Sequence, residues 1–302
     1  MIPRRTFIKT ILTFLVALFC FPRRALSVSS GQGKKTTIAV ALDTDKKKVL
    51  RAALDALGGI ERWVKKGMHV VIKPNVAWAR TPDEAANVHP YLVHHLIKFC
   101  YEAGARSVDV VEFPCDNYKS AFGISEVADA VERAGTRMRT LSYADKRDFV
   151  TIPVPQGKIL KEVDIARCVL DADLFINMPV AKSHEAATLT MGLKNQMGTI
   201  YNCEYFHVHG LHQCIADLST VLHPGLIVVD ATRLLLTNGP KGPGEVRVEN
   251  KVIVGTDLVA VDAFTATLFG YTGNDIGHVK MAYDHGVGEI DLKRVDIKKI
   301  NC

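Results

Sequence analysis

From residue 36 onward the apolar positions follow two patterns: short continuous runs rich in β-branched residues, and longer stretches where apolar residues recur every three or four positions. The first pattern predicts strands over IAVAL (38–42), HVVIK (69–73), SVDVVE (107–112), 137–141, 149–154, DLFINMP (173–179), LIVVDA (226–231) and KVIVG (251–255), with VDIKKI closing the chain. The second predicts helices over 46–64, 90–103, 125–133, 211–222, 258–269 and 275–284. Runs such as LIVVD and DLFINM are apolar without alternation, so both faces of those strands need cover, as in parallel sheets. The prediction is one α/β domain over residues 36–302, with a mostly parallel sheet covered by helices on both faces. No repeat, low-complexity tract or Ser/Pro linker divides it, and residues 28–35 read as a flexible leader.

The first 27 residues follow different rules. They run PRRTFIK, an apolar stretch from Ile11 to Phe21, then small residues at Ala25 and Ser27 that suit cleavage. Two arginines, a polar residue, Phe, an aliphatic residue and Lys, from Arg4 to Lys9, resemble a twin-arginine export signal over residues 1–27. The apolar stretch is about half of the roughly 20 residues that a bilayer span needs, so cleavage is expected rather than a stable membrane anchor. Cys20 follows Phe19 where a lipoprotein signal needs a small residue, which argues against a lipid anchor. The resemblance implies the twin-arginine export machinery as a partner and a periplasmic or exported mature protein, folded before export.

Charge then narrows the function. Of 38 Lys and Arg, five lie in those first 27 residues, which hold no Asp or Glu; the rest of the chain carries 33 basic against 32 acidic residues. A near-neutral body lacks the basic footprint of a nucleic-acid binder, so that partner class is excluded. Cysteines at 100, 115, 168, 203, 214 and 302 include no C-x-x-C pair, so neither a ferredoxin-type iron-sulfur cluster nor a zinc ribbon is expected.

The chemistry concentrates where strands end in polar segments, the edge at which open parallel sheets bind ligands. HVVIK runs into Lys73-Pro-Asn75, and DLFIN into a segment carrying Lys182 and His184. LIVVD ends at Asp230, and between these lies GLKNQMG with Lys194 and Asn195. Lys73, Asn75, Lys194, Asn195 and Asp230 are the candidate substrate-binding residues, with the lysines gripping a small anionic ligand through charge-assisted hydrogen bonds. Lys182 and His184, sharing one short segment, are the candidate catalytic pair for proton transfer. Gly192 and Gly198 flank Lys194 and suit a loop with positive φ or close backbone approach around a ligand. His207, His209 and His212 form H-x-H-x-x-H, which on an extended segment places imidazoles on one face and can hold a divalent metal, the candidate cofactor, with Asp217 as a further ligand. Asp257 reads as a helix N-cap, and Asp262, inside an apolar helix, needs a buried lysine or backbone N–H as partner.

The ordered set KPN (73–75), HP (89–90), YEAGARSVDVVE (101–112), INMPVAKSH (176–184), GLKNQMG (192–198), IADL (215–218), VVDAT with NGP (228–240) and GTDLVAVDA (255–263) resembles the domain of unknown function 362 family. The resemblance implies an α/β module, often accompanied by a ferredoxin-like module whose cysteine cluster this chain lacks. Gly-x-Lys followed by a histidine-bearing stretch is also similar in style to the nickel-dependent lactate racemase type, where a lysine and histidines hold a pincer cofactor. Two functions fit these residues: an exported enzyme acting on a small anionic substrate, metal-assisted through the histidines, or a non-catalytic periplasmic protein that binds or delivers a metal or an anionic ligand.

Overall fold

The computed structural model describes residues 36–141 and 146–302; the segments predicted as export signal and leader, Cys20 among them, lie outside the described residues. Strands β1 (Thr37–Leu42), β2 (His69–Pro74) and β3 (Ser107–Glu112) alternate with helices α1 (Lys46–Asp55) and α2 (Pro90–Glu102). Helices α3 (Tyr118–Ile124) and α4 (Val127–Arg133) lead to β4 (Met138–Thr140) and to the hairpin of β5 (Phe149–Pro153) and β6 (Glu162–Ala166). After α5 (Arg167–Leu170), β7 (Leu174–Met178) runs through Pro179 into β8 (Val180–His184), which turns back as β9 (Thr188–Thr190). Helices α6 (Gly192–Asn195), α7 (Glu204–His209) and α8 (Leu211–Ser219) precede the long strands β10 (Leu226–Leu235) and β11 (Val246–Gly255). The chain closes with α9 (Leu258–Thr267), α10 (Gly277–Asp284) and β12 (Asp296–Asn301).

Local chemistry explains where these elements start and stop. The Asp45 carboxylate accepts from Lys47 N and Lys48 N at 2.8 and 3.0 Å, capping α1. That helix stops short of the predicted Val64 because Gly58 and Gly59, at φ +103° and +79°, break it into a short 3-10 turn over Ile60–Arg62. The predicted 125–133 helix starts at Val127, and a helix the sequence did not predict, α3, precedes it; the two are separated at Glu126, which sits at φ +61°. Asp257 caps α9 through Ala260 N at 2.9 Å, as the sequence predicts.

The sheet order is β12-β1-β11-β10-β7-β2-β3-β4. Its pairs are parallel except those of β11, which is antiparallel to β1 and β10. The β8/β9 hairpin extends past this edge through a parallel pairing of Asp230 with Val180. Both faces are covered, as continuous apolar strands require. Val70, Ile72 and Val228 pack beneath α1 to α4, and Val71, Val229 and Ile253 pack beneath α6 to α10. Polar groups at the carboxyl ends of β2, β7 and β10 therefore divide between two opposite faces.

Candidate active site

Lys73 ends β2 on the face covered by α6, with its ammonium almost fully buried. It donates to Asn195 Oδ1 at 2.5 Å and pairs with Glu112 Oε1 at 3.0 Å. Glu112, at the end of the adjacent strand, is held further by Val76 N at 2.7 Å and Phe113 N at 2.8 Å. Burial pushes the two groups toward neutrality, Lys73 down and Glu112 up, against their mutual attraction. A Cβ at Gly198 would lie 2.5 Å from Glu112 Oε1 and 2.6 Å from Lys73 Nζ, so only glycine lets this turn close over the pair. Gly192 and Gly198 keep negative φ, so close approach, and not positive φ, is what they supply.

The Asn195 amide is bonded within the protein. Its Oδ1 accepts from Lys73 and from Asn75 Nδ2 at 3.1 Å, and its Nδ2 donates to Asn177 Oδ1 at 2.7 Å and to Lys73 O at 3.3 Å. The amide is saturated, so it positions Lys73. Asn177, which the sequence reading passed over, completes the link by donating to Gly192 O at 2.8 Å. Asp262 finds the backbone partners its burial demands, Gly192 N at 2.7 Å and Leu193 N at 2.8 Å. It thereby pins the start of the turn that carries Lys194.

Lys182 and His184 occupy one face of the β8/β9 hairpin, in register with Thr190 and Thr188. The sequence predicts the strand to end at residue 179; the ladder with β10 makes the segment beyond it a strand as well. The fully buried Lys182 ammonium donates to Ala86 O at 2.5 Å and has no carboxylate partner among the described residues. Burial drives it down to about 7, with Lys194 and Lys73 adding repulsion and Cys115 and Glu112 opposing them. The ammonium of half-buried Lys194 makes no hydrogen bond or ion pair with any described residue. Burial lowers it to about 8, with Lys73 again contributing repulsion. The three lysines thus lie within one another's fields, and among the described residues Glu112 is the one carboxylate paired with any of them.

His184 faces the same cations. Burial, then Lys194 and Lys182, depress it to about 3, so it is neutral at physiological pH. Its Nδ1 accepts from Ala186 N at 3.1 Å and Ala187 N at 3.2 Å, which assigns the ring proton to Nε2. His184 is therefore a hydrogen-bond donor in this site. Thr188, opposite it, sits at φ +65°, a strained conformation for a β-branched residue.

Two sequence expectations need correction. A three-histidine metal site requires an extended segment at His207 to His209, and that segment is helix α7. Helical geometry swings His209 outward, where its ring stacks on Tyr205 at 3.8 Å between centroids and its Nδ1 meets Tyr205 O at 3.0 Å. His207 stays within the field of Lys194 and His184. His212 turns to His278, and Asp217 is saturated by Ile159 N, Leu160 N, Gln213 and His285. No group of three His, Cys, Asp or Glu among the described residues has metal-binding geometry.

Asp230 is the second correction. Its carboxylate points to the opposite face, beneath α1 and α2, because side chains alternate along a strand. There it accepts from His89 N at 2.7 Å, Thr232 N at 2.9 Å and Thr232 Oγ1 at 2.6 Å, and pairs with Arg233 at 3.6 Å.

The sequence reading also missed His278, on α10. It is fully buried beside His212 and within the field of Lys194 and His184. Among the described residues, Asn75 Oδ1, Thr190 Oγ1 and His278 Nε2 are buried with no hydrogen-bond partner, as are Gln196 Oε1 and, on the opposite face, Arg233 Nε and Nη2.

Comparison with known proteins supports the fold. The sequence profile of a family described as a domain of unknown function, DUF362, matches residues 70–267. A thylakoid-associated protein of Synechocystis is 25% identical over 227 residues, covering 70% of this chain and 66% of its own length. The lactate racemase apoprotein of Thermoanaerobacterium thermosaccharolyticum superposes with a TM-score of 0.51 at 13% identity, over 83% of this chain and 58% of that one. At that identity the likeness is one of fold. The chain thus spans under two thirds of the length of either relative.

Proposed function

This chain belongs to the DUF362 family, and we propose that it is an enzyme that moves a proton on a small anionic substrate at the Lys/His site of the sheet's carboxyl edge. One observation carries the reading: Lys182 and Lys194 are buried or half-buried cations with no carboxylate partner among the described residues. A buried ammonium without a counter-charge costs free energy that a bound anion recovers. Lys194 and the remaining donor of Lys73 seat the anion. Lys182, held near 7, is divided between its two protonation states at neutral pH, as a group that exchanges protons must be. His184 supplies a neutral N–H through Nε2. We further propose that residues 1–27 direct export by the twin-arginine route and that the mature domain works outside the cytoplasm.

The test is deuterium exchange. Incubating the protein in D2O with acetate, glycolate, succinate and malate, followed by proton NMR, should show loss of a carbon-bound proton from at least one of them, abolished in Lys182→Met. Saturable binding without exchange identifies a carrier of anions. No binding of any carboxylate overturns the anion site itself. For export, replacing Arg4 and Arg5 with lysine should leave the precursor unprocessed in the cytoplasm.

A further inference from the structure

His278 and His212 form a built pair. Their rings lie nearly parallel, with centroids 5.4 Å apart and planes at 11°. A Cβ at Gly277 would lie 2.9 Å from both Cγ and Nδ1 of His212, so the ring approaches this closely only because residue 277 is glycine. The tautomers are assigned from two contacts. The backbone N–H of His278 donates to His212 Nδ1 at 3.1 Å, so that nitrogen carries a lone pair. His278 Nδ1 lies 3.2 Å from the same atom and, to make a hydrogen bond there, must be the one that carries a hydrogen. His278 Nε2 is then an unprotonated acceptor, buried and with no hydrogen-bond partner among the described residues.

The two site histidines are thus opposite in kind. His184 offers an N–H from Nε2, and His278 offers a lone pair from Nε2, both within the field of Lys194. An anion alone satisfies the lysines and His184 and leaves His278 orphaned. We propose that His278 is a specificity-determining residue that selects anions bearing a hydroxyl group, accepting the hydroxyl proton at Nε2, and that His212 is the positioning residue that fixes its tautomer. The proposal rests on the anion site described above.

Calorimetric titration with matched pairs, glycolate against acetate and malate against succinate, separates the two claims. The hydroxylated member should bind roughly tenfold to a hundredfold tighter, the effect of leaving a buried acceptor unpaired. His278→Phe, which keeps a planar ring and removes the lone pair, should abolish that preference and retain binding of acetate and succinate. If neither member of a pair binds, the anion site fails. If both bind equally to the wild-type protein, the role of His278 fails and the anion site stands. Should the Phe variant not fold, nitrogen-15 NMR of wild-type histidines decides. The proposal requires His278 protonated at Nδ1 and bare at Nε2, with His184 the reverse, and the opposite pattern at His278 overturns it.

Discussion

Two clusters of buried charge share the carboxyl edge of the sheet, on opposite faces, and they differ in how their charges are answered. Beneath α1 and α2, the Asp230 carboxylate accepts two backbone N–H groups and a hydroxyl and pairs with Arg233, whose Nη1 donates to Pro82 O. Those contacts tie residues 82 and 89 to β10. Beneath α6 to α10, three lysines meet one paired carboxylate, and two of them have no counter-ion among the described residues. Buried charge on the first face fastens chain segments together. On the second face Lys73 is paired but the Lys182 and Lys194 ammoniums have no counter-charge among the described residues, and the proposed anion site rests on that difference more than on burial.

Removing a charge from each face should have contrasting effects. Asp230→Ala leaves Arg233 buried beside an empty space and strands three donors, so unfolding free energy should fall by about 3–5 kcal/mol in chemical denaturation. Carboxylate affinity of the protein that remains folded should not change. A stable Asp230→Ala variant that no longer binds carboxylates would reverse the roles of the two faces.

Lys194→Met tests the other side. No counter-ion is orphaned by losing this ammonium, so stability should hold or rise by up to about 1 kcal/mol, while carboxylate affinity should drop at least tenfold. A variant that is destabilised and binds normally would make Lys194 a structural residue.

The same contrast explains what could be read from the sequence. That Lys73, Lys182 and Lys194 come together could be read from the sequence because open parallel sheets gather polar segments at their carboxyl edge. Asp230 obeyed the same rule and misled, since one residue of register sends a side chain to the other face. The H-x-H spacing suggested a strand face, but Tyr205 and His209, four residues apart, stack as helix neighbours. Glu112 ends a correctly predicted strand, so the rule that found Lys73 applied to it as well. His278 left no signal: it reaches His212 across 66 residues of sequence through the packing of α10 on α8.

Titration should separate the faces more gently. Folded-state values of about 7 for Lys182 and about 8 for Lys194 lie below the ordinary 10.5, so the unfolded chain binds more protons in that interval. Stability of the ligand-free protein should therefore rise as pH increases from about 7 to 10.5, because deprotonation relieves buried charge. Carboxylate affinity should move the other way, falling by up to about tenfold per pH unit above 8. Binding near pH 8 should draw protons from solution, measurable as a buffer-dependent heat. An affinity that stays flat from pH 6 to 10 would mean that neither lysine contacts the anion.

Backbone strain gives the smallest contrast. Thr188, facing His184, and Asn250, whose Oδ1 receives Lys46 at 3.4 Å on the other face, both have positive φ, +65° and +51°. Asparagine tolerates that region, but a β-branched threonine pays roughly 1–3 kcal/mol in steric conflict. Glycine at 188 relieves the conflict, taken at about 1.5 kcal/mol, and adds freedom to the unfolded chain worth roughly 0.5–1 kcal/mol, so Thr188→Gly should stabilise by about 0.5–1 kcal/mol net. Asn250→Gly should change stability by less than about 0.5 kcal/mol in either direction. The gain at 188 should come with weaker carboxylate binding, because a glycine turn holds the His184 N–H less firmly. Should Thr188→Gly stabilise the fold and leave carboxylate affinity untouched, the strain has no part in aiming His184, and the hairpin serves the site only by carrying Lys182.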